Sequence, residues 1–164
     1  DQTVVRDALE LTLAIERRGY SFYTNAARST RNSTGRLMFQ RLAAEESDHL
    51  RHLQTEYQNL LSACPWLKQE PAKLPLSRKI VDEIFPQREL REIGRKDFLT
   101  EIEALTIAMD LERRSHQFFK RFARQIADPR GRRVFMKFAK DEDAHLQTLL
   151  AEYNALVAKQ VSQP

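Results

Sequence analysis

The chain is short of cysteine, glycine and long apolar runs. Its 164 residues include one cysteine, Cys64, which excludes an internal disulfide and any paired-cysteine metal or redox motif. A lone thiol also fits a reducing cytosol. Four glycines set against many Glu, Arg, Leu, Ala and Gln residues favour an all-helical protein. No segment approaches the roughly 18 apolar residues of a membrane span, and nothing reads as a secretory signal. The net charge of +4 is spread along the chain rather than gathered into one block, so a nucleic-acid interface is unsupported. The length suits one domain with a proper core.

What is present centres on Leu42-Ala43-Ala44-Glu45-Glu46-Ser47-Asp48-His49-Leu50. Glu46 and His49 are three apart, so on a helix both project from one face. Leu42, Leu53 and Leu60 continue that face, which aims a carboxylate and an imidazole at the core. A buried charge needs a partner, and a metal ion would pair with both groups. One Glu-x-x-His is weak evidence, but Glu142 and His145 repeat it 96 residues later in Phe138-Ala139-Lys140-Asp141-Glu142-Asp143-Ala144-His145-Leu146. The same offset lays Glu16-Arg17-Arg18 on Glu112-Arg113-Arg114, Gly35-Arg36 on Gly131-Arg132, and Glu56-Tyr57 on Glu152-Tyr153. Residues 1–64 and 97–160 share 20 identities without a gap, where ordinary usage gives roughly 6%. The chain is a duplicated helical hairpin.

In the first copy, Val5, Leu9, Thr12 or Leu13, Glu16, Tyr20, Tyr23 and Ala27 recur every three or four residues, predicting a helix over 3–29 with Glu16 on its inner stripe. Asn32, Ser33 or Thr34 could cap the next helix, expected over about 35–62. The midpoint between Glu16 and Glu46 is residue 31, inside the turn, so antiparallel helices bring the two acids level, about 20 Å along. Glu112 and Glu142 have their midpoint at 127, inside the second turn. The helices expected there span about 97–126 (Leu105, Ala108, Glu112, Phe119 and Phe122 inward) and 130–159 (Phe135, Glu142, His145, Leu149 and Leu156 inward). Between the hairpins, residues 63–96 carry Pro65, Pro71, Pro75 and Pro86. Residues 77–85 there could form a short amphipathic helix, laying Ile80, Val81, Ile84 and Phe85 on the bundle. The connection is long enough to travel the length of a bundle, as in ferritin-like folds with one long crossover. It would also allow two chains to exchange hairpins.

Six residues follow as metal ligands: Glu16, Glu46, His49, Glu112, Glu142 and His145. Two lone glutamates and two Glu-x-x-His pairs are the ligand set of carboxylate-bridged di-iron or di-manganese bundles. Four carboxylates balance two divalent ions, and without metal their repulsion should raise glutamate pKa values. Mixed oxygen and nitrogen donors suit two iron ions, or manganese or a mixed pair, better than zinc. Glu46 and Glu142 are expected to bridge, with Glu16 and Glu112 terminal. These four glutamates are the candidate catalytic groups. For one residue, a solvated charge or a buried Glu–Arg network would be the simpler account. It does not account for six residues related by one gapless offset.

Tyr20, Tyr23 and His116 are candidates to hydrogen-bond a ligand carboxylate, with core packing the alternative for each. Glu45, Asp48, Asp141 and Asp143 flank the motifs, with Glu45 and Asp141 candidates for a metal entry path. His52 should be peripheral. Arg17-Arg18 and Arg113-Arg114 should form outer ion pairs of little worth.

Across nearly the whole chain these residues resemble the rubrerythrin branch of the ferritin-like superfamily. The resemblance is carried by Glu16 in AIERRGYSFY, Glu46 and His49 in LAAEESDHL, Glu112 in AMDLERRSHQFF, and Glu142 and His145 in FAKDEDAHL. It implies a non-haem di-iron centre, a cytoplasmic homodimer, and reduction of hydrogen peroxide or oxidation of ferrous iron. Two departures stand out. The chain lacks the paired CxxC motifs of a rubredoxin module, so a separate donor protein such as a rubredoxin would supply electrons. The residues three before and three after Glu112 are Met109 and Ser115, where the resemblance would lead one to expect an extra glutamate. The expected function is therefore a di-iron oxidoreductase reducing peroxide or oxygen. An iron-oxidising storage or handling protein and a helical interaction module with structural metal are the alternatives.

Overall fold

The computed structural model describes residues 2–73, 78–86 and 100–161. Their five α-helices are α1 (Gln2–Ser29), α2 (Ser33–Ala63), α3 (Arg78–Ile84), α4 (Glu101–Gln125) and α5 (Pro129–Val161), with a 3₁₀ turn at Pro65–Lys68. The expected boundaries fall within a few residues of these, although residue 77 of the short helix and residues 97–99 of the third long one lie outside the described residues. Among the described residues no helix is long and apolar enough to cross a membrane. Of the three candidate caps, Asn32 starts α2: its Oδ1 accepts from Thr34 N at 2.8 Å and Gly35 N at 3.3 Å. Asp128 does the same for α5, accepting from the backbone N–H groups of Arg130 and Gly131, with Pro129 at the first helical position. A reciprocal Thr100–Glu103 capping box starts α4.

α1 lies along α2 and α4 along α5, while α1 also touches α5. The ends of the bundle are fixed by two glycines equivalent under the repeat. A Cβ at Gly35, at the start of α2, would run into the Glu101 carboxylate, and one at Gly131 would approach Ile126 at 3.1 Å and Val4 at 3.8 Å. The start of α4 therefore sits at the α1–α2 turn, and the α4–α5 turn sits at the start of α1. The crossover must run the length of the bundle, as its length suggested. Two arginines of α1 hold it there. Arg6 donates to the carbonyls of Leu67 (2.5 Å) and Glu70 (2.8 Å) and pairs with buried Asp7, whose other oxygen accepts from Lys73 N. Further along α1, Arg18 donates to Phe85 O and pairs with Asp82, each at 2.9 Å. Val81, Ile84 and Phe85 are buried on the bundle as expected, with Ile80 partly so.

The core has an aromatic zone toward each end. Phe22, Tyr23 and Phe39 group toward the α1–α2 turn, and Phe118, Phe119, Phe122, Phe135 and Phe138 group toward the α4–α5 turn. Val5, Leu9, Leu53 and Leu149 are also buried. Four glutamates and a histidine are buried among these apolar residues.

Candidate metal centre

Glu16 sits midway along α1, Glu46 and His49 on α2, Glu112 on α4, and Glu142 and His145 on α5. The four glutamates expose 3% or less of their surface. The antiparallel hairpins set them level, and their side chains converge. His49 Nδ1 lies 3.0 Å from Glu16 Oε2 and 3.4 Å from Glu46 Oε2. His145 Nδ1 lies 3.2 Å from Glu46 Oε1 and 3.4 Å from Glu112 Oε1. Glu46 thus spans both imidazoles, one oxygen to each. Glu142 adjoins both lone glutamates, Glu112 and Glu16. The two imidazole rings stack 5.7 Å apart.

Such crowding perturbs the titrating groups. Burial and the neighbouring Glu46 carboxylate raise Glu16 well above its ordinary range. Burial and Glu112 do the same to Glu142. Burial alone would also raise Glu46, but the imidazoles of His145 and His49 hold it well below the usual carboxylate range. For His145 burial opposes the charge, yet Glu112 and Glu46 push it up to about 11. Glu16 Oε1, Glu46 Oε2, Glu112 Oε2 and His145 Nδ1 are shielded from solvent and make no hydrogen bond. Buried polar atoms left unpaired are costly, and within each of three overlapping residue groups the ligand atoms lie within 4.8 Å of one another. The groups are Glu46–His49–His145, Glu112–Glu142–His145 and Glu16–Glu46–Glu142. Hard oxygen donors with one imidazole per ion fit a pair of divalent cations.

The supporting candidates separate. Tyr23 is buried and its hydroxyl donates to Glu112 Oε1; burial and that carboxylate raise it well above its ordinary pKa, so it stays a donor. Its counterpart under the repeat, Phe119, has no hydroxyl, which makes the two lone glutamates inequivalent. Tyr20 is instead 42% exposed, correcting its place on the inner stripe. The register of α1 turns Gly19 inward, where a Cβ would lie 3.5 Å from the Glu46 carboxylate. His116 also stays off the ligands, its Nδ1 donating to the Ala139 carbonyl at 2.7 Å. Asp48 and Asp143 are exposed, Asp48 pairing with Arg51. His52 is exposed, as expected of a peripheral residue. The outer arginines pair with acids, Arg18 with Asp82 and Arg113 and Arg114 with Asp110. Sequence reasoning missed the buried Arg6–Asp7 pair, which carries no spacing signal, and the Thr100–Glu103 box, whose T-x-x-E pattern could have revealed it.

A helical bundle of two hairpins joined by a full-length crossover, with carboxylates and imidazoles converging at its centre, defines the ferritin-like class. Within that class the Rubrerythrin family model matches residues 7–153, and the chain belongs to that family. No curated protein matches the sequence.

Proposed function

We propose that this protein is a non-haem di-iron oxidoreductase that reduces hydrogen peroxide, or dioxygen, with electrons from a separate donor protein such as a rubredoxin. One observation carries the reading: four buried carboxylates and two imidazoles form three overlapping groups whose ligand atoms lie within 4.8 Å of one another in each, with several oxygens making no hydrogen bond. Glu16 with His49 would hold one ion and Glu112 with His145 the other, while Glu46 and Glu142 would reach both. Two iron ions bound there would supply one electron each, matching the two electrons and two protons that convert hydrogen peroxide to two waters.

The remaining work falls to the chain itself. Tyr23 fixes one oxygen of Glu112 and leaves the other for a cation. Phe138, edge-on to His49 at 5.6 Å, and the rings behind it shield the centre from water. Low local dielectric strengthens every charge interaction inside. Glu16 and Glu142, whose hold on a proton is raised by burial and neighbouring carboxylates, would release protons as cations enter.

Anaerobic titration with ferrous iron, then separate mixing with peroxide and with oxygen while following the near-ultraviolet spectrum, tests this reading. Two irons per chain and oxidation faster with peroxide are expected. Faster oxidation by oxygen would favour ferroxidase or iron-handling chemistry instead. Failure to bind iron stoichiometrically would refute the proposal.

A further inference from the structure

The inward Nδ1 atoms leave each imidazole with an outward Nε2, and the structure puts a carboxylate opposite both. His145 Nε2 lies 3.2 Å from Glu45 Oε2, and His49 Nε2 lies 3.7 Å from Asp141 Oδ2. Glu45 and Asp141 are equivalent under the 96-residue offset, as are the two histidines. The pairing is nevertheless crossed: the acid of the first hairpin meets the imidazole of the second, and the reverse. One turn before each acid stands a cation, also equivalent under the repeat. Arg41 Nε pairs with Glu45 Oε1 at 2.9 Å, and Lys137 Nζ lies 3.4 Å from Asp141 Oδ2. Asp141 Oδ2 is shielded from solvent and makes no hydrogen bond. An oxygen so placed has capacity to accept a ring N–H.

We propose that Glu45 and Asp141 are crossed positioning residues, each holding the outward Nε2–H of the imidazole supplied by the opposite hairpin. The inference rests on the metal-binding reading above and extends it. A neutral imidazole that ligates through Nδ1 carries its proton on Nε2. A carboxylate accepting that proton selects the tautomer, fixes the ring plane and makes Nδ1 a better donor. Arg41 and Lys137 each pair with one of the two acids. Because each acid crosses to the other hairpin, the device also sets the hairpins in register: neither imidazole is fully oriented unless both hairpins are in place. Asp141 is one methylene shorter than Glu45, which accounts for its longer reach to the ring and makes the two metal positions unequal.

The chain has four histidines, at 49, 52, 116 and 145, so ¹⁵N-histidine NMR of the zinc-loaded protein resolves the rings, with His49→Asn and His145→Asn for assignment. The native protein should show Nδ1 ligation and Nε2–H for His49 and His145. Glu45→Ala should move the Nε2 signal of His145 and leave that of His49; Asp141→Ala should do the opposite. Each should weaken zinc binding about tenfold. Asp141→Glu should deepen the His49 Nε2 shift, and exposed Asp48→Asn should change neither ring. Responses confined to the histidine of the same hairpin, spread over all four rings, or missing altogether would overturn the crossed pairing. Failure of the native protein to bind both zinc and ferrous iron would instead sink the metal-binding reading and this inference with it.

Discussion

Replacing Glu142 with Gln should stabilise the metal-free protein and remove most of the stability it gains from metal. Glu142 is 3% exposed and faces Glu112 and Glu16. Its raised pKa means that its contribution is fully present below the ordinary carboxylate value of 4.5 and is lost as pH rises. Glu16 behaves the same way. Glu46, with its lowered pKa, contributes above 4.5 and loses that contribution only in more acidic solution. His145, raised from 6.5 to about 11, contributes fully below 6.5 and loses its contribution between those values. Between pH 4.5 and 6.5 the loss of stability with rising pH therefore comes from Glu16 and Glu142. The amide that replaces the Glu142 carboxyl is neutral at every pH and removes one of these two losses, so the variant should gain on the native protein as pH rises from 4.5 to 6.5. For a chain of this size each kcal/mol so gained raises Tm by roughly 2–4 °C. Divalent metal at a hundred times its Kd should add about 2.7 kcal/mol to the native protein and little to the variant. Thermal melts at pH 4.5, 5.5 and 6.5, with chelator and with metal, measure both effects. A metal-free variant no more stable than native at pH 6.5, or one keeping the full metal-linked gain, would refute the reasoning.

Three further outcomes follow from the same packing. Tyr23→Phe keeps the ring but removes the donor to Glu112, and Phe119 shows that the fold accepts phenylalanine at the equivalent place; ferrous iron affinity should fall 10- to 100-fold with Tm nearly unchanged, and an unchanged affinity would count against the role. Gly19→Leu should displace the Glu46 carboxylate and abolish two-metal binding in an iron titration, whereas Gly19→Ala, whose Cβ finds 3.5 Å of clearance, should bind normally. Arg6→Ala removes the guanidinium that pairs with buried Asp7 and holds the Leu67 and Glu70 carbonyls and should cost about 3 kcal/mol in denaturant unfolding; a loss under about 1 kcal/mol would show that the crossover is held some other way.

Much of the fold was legible because the chain states its pattern twice. The common offset of Glu16, Glu46 and His49 onto Glu112, Glu142 and His145 set the helices, their pairing and the level at which the acids meet. The length of residues 63–96 announced a crossover spanning the bundle. What periodicity could not resolve was rotation about a helix axis by one residue. Tyr20 and Gly19 both lie within a turn or so of Glu16, and the choice between them depends on which one the Glu46 carboxylate leaves room for. His116 sits at the position equivalent to Tyr20 and likewise turns away, to the Ala139 carbonyl. The crossed contacts of Glu45 and Asp141 were equally out of reach. A repeat shows that two acids are equivalent, but only the packing of one hairpin against the other shows whose imidazole each acid meets.

Metal placement is the most direct test of the proposed centre. Crystals loaded anaerobically with ferrous iron and measured on both sides of the iron absorption edge would locate it by anomalous scattering. Two peaks roughly 3.5–4 Å apart, ringed by Glu16, Glu46, His49, Glu112, Glu142 and His145, are the predicted result. A single peak, or iron bound away from these six side chains, would contradict the central claim.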